Sequence, residues 1–67
     1  MIEIYVNGEG RQVREALTAA QLIEELGLSG RRVAMEVNLE IVPRSAYTEH
    51  RLRPGDRVEI VHAIGGG

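Results

Sequence analysis

A chain of 67 residues makes one small domain, with little room for a deep pocket lined by a full catalytic apparatus. It contains no Cys, which excludes disulfides, thiolate nucleophiles and thiolate metal sites, so apolar packing must hold the core. The eight basic residues are all Arg, against ten acids; the net charge of -2 and an aromatic set of two Tyr argue against a nucleic-acid footprint and base-stacking platforms.

Residues 2–6 alternate strictly, with Ile2, Ile4 and Val6 on one face and Glu3 and Tyr5 on the other, the pattern of a half-buried strand. Asn7-Gly8-Glu9-Gly10 tolerates positive φ and predicts a hairpin turn, with a second strand over 11–15. Thr18 and Gln21 have capping-box spacing and start a helix of about nine residues that places Ala19, Leu22, Ile23 and Leu26 on one face. Gly27 suits its left-handed end. A helix so short does not stand alone and must lie on a sheet.

A third strand covers 33–38, with Val33, Met35 and Val37 inward. A short fourth follows at 40–42 and stops at Pro43, which cannot donate to a central ladder. Residues 44–52 read as a turn or 3₁₀ segment, and Arg53-Pro54-Gly55-Asp56 as a type II turn. The last strand covers 57–63, with Val58 and Ile60 on one face and Glu59, Val61 and Ala63 on the other. The order β-β-α-β-β-β, with the first and last strands parallel at the centre, predicts an α+β β-grasp roll, a mixed sheet covered on one face by one short helix. The domain is expected over residues 1–64, followed by a flexible tail, Gly65-Gly66-Gly67. No positive n-region and no apolar run of about 20 residues is present, so a soluble cytoplasmic protein without a membrane segment is expected.

Few side chains suggest catalysis. His50 and His62 are twelve residues apart without a metal-ligand pattern, and Glu24-Glu25 falls on the outer helix face. Gly8 and Gly10 lack the G-K-[ST] continuation of a phosphate loop. The glycine tail is different. Without Cβ atoms it can pass through a narrow slot, and residues 64–67 reach about 13–14 Å when extended. A carboxylate at its end can be activated by adenylation and then displaced by a nucleophile.

Residues 33–67 carry a V-x-V-N-x-x-I-V-P-R type segment (Val33 to Arg44), a G-D-x-V-E-I-V strand (Gly55 to Val61) and a terminal Gly-Gly. This half of the chain closely resembles the thiamin-biosynthesis sulfur carrier (ThiS) family, whose ubiquitin-like fold the whole chain fits. One departure is Leu39, where family members often carry Gly, so a differently shaped turn after Asn38 is expected. The resemblance implies a carrier, not an enzyme. An E1-like adenylyltransferase, using ATP and Mg²⁺, adenylates the terminal glycine. Sulfur from a cysteine-desulfurase-derived persulfide then replaces AMP, and thiazole synthase takes it from the thiocarboxylate. Carried over by position, Gly67 is the modified residue, and Gly65 and Gly66 thread into the partner. No cofactor is bound by the carrier itself, and a monomer is expected when it is free.

The residues themselves add two points. Sulfur on this chain can sit only on its C-terminus, because there is no thiol. With no Lys, an activated Gly67 meets almost no internal amine. A partner surface is expected on the sheet face away from the helix, from Tyr5, Val61, Ala63 and Ile64, rimmed by Glu3, Glu36 and Glu59. Arg44, Arg51, Arg53 and Arg57 are candidates for a positive patch. Other readings remain: a carrier for molybdopterin synthesis or tRNA thiolation, a ubiquitin-like protein modifier, or a binding module with inert glycines.

Overall fold

The structure, a computed structural model, describes residues 1–62. Strand β1, Ile2–Val6, turns through Asn7 and Gly8 into β2, Glu9–Val13. Both turn residues have positive φ, 51° and 87°, as a two-residue type I′ hairpin requires. The tight turn puts Glu9 directly opposite Val6, so β2 starts two residues before the expected 11–15 and ends at Val13.

Helix α1, Ala19–Glu25, is two residues shorter than expected. The Gln21 N–H donates to Thr18 Oγ1 at 3.2 Å, and the Thr18 N–H donates to Gln21 Oε1 at 2.9 Å. This capping box satisfies end groups that water would otherwise have to reach. Gly27 reverses the chain after the helix at φ 73°. Strands β3, Val33–Val37, and β4, Glu40–Val42, form a second hairpin. Pro43 then leads into one 3₁₀ turn, Arg44–Ala46. The Arg53–Asp56 turn closes with the Asp56 N–H on the Arg53 carbonyl at 3.1 Å. Strand β5, Arg57–His62, completes the sheet.

The sheet order is β2-β1-β5-β3-β4. Strand β5 lies parallel to β1 and antiparallel to β3, so the last described strand is central. Ile4, Met35 and Val58 from the sheet, Leu17, and Leu22 of α1 itself are essentially solvent-free in one core. Among the described residues, no element covers the opposite sheet face, where Ala34, Ile41 and Val61 are exposed. A five-stranded mixed sheet with one covering helix in this order is a β-grasp.

The turn between β3 and β4 runs through Asn38 and Leu39. Asn38 and Leu39 have φ 52° and 70°, so the hairpin keeps the left-handed geometry that glycine favours and a leucine bears its cost. The core also reaches further than the periodic patterns indicate. Tyr47 and Leu52, in the stretch expected to be mixed turn, are both buried.

Candidate functional site

Three features fix the root of the tail. His62 pairs with Val33 on β3, which secures one side of β5 at its last described residue. On the other side β1 ends at Val6, and an asparagine side chain takes over. The Ile60 N–H donates to Asn7 Oδ1 at 2.8 Å, and Asn7 Nδ2 donates to the Ile60 carbonyl at 3.2 Å. The Asn7 N–H itself binds the Val58 carbonyl at 2.8 Å. The central strand is thus held on its β3 side as far as His62 and on its β1 side as far as Ile60, two residues earlier. Ala63, Ile64, Gly65, Gly66 and Gly67 lie outside the described residues.

On the open sheet face, Val61 stands beside Ala34 in the β5–β3 pairing, and both are exposed. They share a shallow cleft of about 110 Å³ with Ile41, Glu36 and Glu59. Ile41 is 76% exposed and Val61 59%, unusually open for large apolar side chains. Sequence reasoning missed Ile41. The parity of β4 could have found it, since Val42 inward requires Ile41 outward. Tyr5 lies elsewhere. It pairs with Arg57, four residues along β5 from Val61, or about 13 Å at strand rise. There its ring carries the Arg57 guanidinium 5.5 Å from the centroid, and its hydroxyl donates to Glu3 Oε1 at 3.4 Å. Of the expected surface, Val61 therefore joins Ala34 and Ile41, and Tyr5 marks the opposite end of the face.

The four candidate arginines do not gather. Arg51 and Arg53 line a polar cleft with Glu40, Glu49 and Asp56. Arg57 sits on Tyr5, and Arg44 faces Arg31 and Arg32 across a different cleft. His50 is half-buried, with its carbonyl accepting the Ala19 N–H at 2.8 Å. His62 is exposed at the end of β5. Glu25 makes only a long ion pair with Arg11, 3.9 Å between partly exposed side chains, which contributes little. Among the described residues no three His, Asp or Glu side chains gather to hold a metal ion, and no helix is long and apolar enough to cross a membrane.

Residues 4–67 match the model of the ThiS family. The chain belongs to that family. The crystal structure of the thiamine biosynthesis protein ThiS from Geobacter metallireducens superposes with a TM-score of 0.85 at 30% identity, covering 98% of this chain and all of that one. Sulfur carrier protein ThiS of Escherichia coli K12 is 29% identical over 66 residues, 98% of this chain and the whole of that protein. A protein of Paramagnetospirillum magneticum named thiazole synthase is 46% identical over 66 residues. That match takes in 98% of this chain but 20% of the relative, so this ThiS-family chain spans about a fifth of its length.

Proposed function

We propose that this ThiS-family protein carries sulfur on the carboxyl group of Gly67 for the thiazole ring of thiamin. It is a carrier, not an enzyme. The observation that supports this most is that the family match runs to residue 67, through all three tail glycines. The relative named thiazole synthase adds a partner: one polypeptide there contains both a stretch like this chain and four times as much again. A stretch like this chain on the same polypeptide as the rest of a protein named thiazole synthase supports thiazole synthase as a partner here.

The chemistry follows from the carboxylate. It is a poor electrophile until its oxygen attacks ATP and pyrophosphate leaves, forming an acyl-adenylate on an E1-like partner that supplies Mg²⁺. A persulfide sulfur, derived from a cysteine desulfurase, then attacks the acyl carbon and AMP departs. A second thiol takes the resulting S–S bond and releases the thiocarboxylate. Glycine at positions 65–67 lets the backbone enter narrow partner channels. Residues 63–67 span at most about 17 Å beyond His62, enough to bring that carbon into an active site while the body stays docked. The patch of Ala34, Ile41 and Val61 adjoins the root of the tail and is the surface through which the partners hold the body.

Deleting Gly67 tests the reading. Thiocarboxylate formation should cease while the circular dichroism spectrum stays unchanged; sulfur transfer by the shortened chain overturns it. Rescue of a thiazole auxotroph, without rescue of a pterin auxotroph, assigns the sulfur to thiazole; the reverse assigns it to molybdopterin.

A further inference from the structure

The helix side of the sheet holds a second feature, a cleft of about 520 Å³ between the loop after α1 and the 3₁₀ turn. Its floor is apolar: Ile23, Val33 and Tyr47 are buried there. Its rim carries Arg31, Arg32 and Arg44 against one acid, Glu24. A chain of net charge -2 thus concentrates three of its eight arginines around one opening. Among the described residues Arg31 and Arg44 have no carboxylate within ion-pairing distance.

The backbone under these arginines is fixed. The Leu28 N–H binds the Ile23 carbonyl and the Arg31 N–H binds the Leu28 carbonyl, each at 3.0 Å, around Gly30 at φ 80°. On the other bank the Tyr47 N–H binds the Arg44 carbonyl at 3.1 Å, and the Ala20 N–H ties Tyr47 to α1 at 3.0 Å. The chain segments that carry Arg31 and Arg44 are therefore fixed on opposite banks of one cleft. A ligand of opposite sign is complementary to this basic rim, and complementary charge steers binding and selects partners.

The open sheet face has the opposite character. Its apolar cleft is flanked by Glu36 and Glu59. Val33 borders the basic cleft and Ala34 the acidic one, so adjacent residues of β3 serve the two faces. Both faces meet at the end of the sheet where Val33 pairs with His62.

We propose that the cleft between Arg31 and Arg44 is a second docking surface, one that takes an acidic, partly apolar peptide segment of a protein partner. The proposal rests on the carrier reading only in requiring that more than one protein bind the body. Two surfaces of opposite charge let a carrier distinguish partners while either presents the same tail. The open width and the apolar floor favour a peptide over a small oxyanion, which needs an enclosing shell of donors.

The test uses the ¹⁵N-labelled full-length chain and a short peptide of alternating Glu and Leu. Amide shifts should concentrate at residues 28–33 and 44–47 and weaken with added salt. The double variant R31E/R44E should lose about tenfold in affinity, and R14E/R53E, of equal net charge, should lose far less. Equal losses in both variants, shifts centred elsewhere, or the same shifts from inorganic phosphate alone overturn the proposal. Peptide binding requires no modification of Gly67, so failure here leaves the carrier reading intact, and an unmodifiable Gly67 leaves the cleft intact.

Discussion

Asn7 and Ile60 exchange two hydrogen bonds that continue the β1–β5 ladder after β1 has ended, with the Asn7 side-chain amide acting as one more strand residue. The same residue also takes the left-handed position of the hairpin, at φ 51°. Its two roles separate by substitution. Asn7→Gly keeps the turn and removes both bonds, and should cost about 1–3 kcal/mol. Asn7→Ala should cost more, because alanine must also bear the left-handed backbone. In both, amide exchange at Ile60 should accelerate ahead of that at Met35. Unchanged protection at Ile60 would show that the ladder needs no such extension.

Leu39 tests backbone strain directly. It sits at φ 70° with its side chain 87% exposed, so little packing offsets the conformation. Leu39→Gly relieves about 1–2 kcal/mol of left-handed strain but adds about 0.5–1 kcal/mol of unfolded-state entropy. The net should be a rise in Tm of roughly 2–6 °C. A fall in Tm means that Leu39 makes a stabilising contact.

Leu52 is 2% exposed, and its N–H binds the Leu17 carbonyl at 2.8 Å, joining two irregular segments over the core. Leu52→Ala should cost about 2–5 kcal/mol. A domain of this size has only about 3–10 kcal/mol in total, so urea titration should show a protein close to unfolding at 25 °C. A loss below about 1 kcal/mol would place the segment outside the cooperative core.

Ile41→Asp and Val61→Asp probe the open face. Both side chains are already exposed, so the thermal midpoint should change little. Thiocarboxylate formation with the E1-like partner should fall by about tenfold or more, since a charge is placed at the centre of an apolar contact. Tyr5→Ala, about 13 Å along the strands, should have a smaller effect. Equal effects at all three sites argue against a localised docking patch.

Most of the fold was legible because its elements carry local signals. Strict alternation marked β1, the Thr18–Gln21 spacing marked α1, and Pro43 and Gly55 marked the ends of segments. The first turn was misjudged by two residues because Glu9 and Gly10 also tolerate turns, and only the register with Val6 shows that Asn7-Gly8 suffices. Leu17, Tyr47 and Leu52 were not legible as core, since their burial follows from long-range contacts and not from periodicity. Ile41 and Val61 share an open face only because β3 lies between β4 and β5, a fact of strand order. The same holds for the Arg31 and Arg44 cleft, whose banks are contributed by separate segments of the chain.

Sulfur on the carboxyl carbon of Gly67 can be read out by mass. The direct measurement is intact and fragment mass analysis of the chain after incubation with ATP, Mg²⁺, the E1-like partner and a persulfide donor. The expected result is a mass gain equal to one oxygen replaced by sulfur, confined to the fragment containing Gly67 and absent without ATP. An unmodified Gly67 under these conditions, or sulfur located anywhere else on the chain, contradicts it.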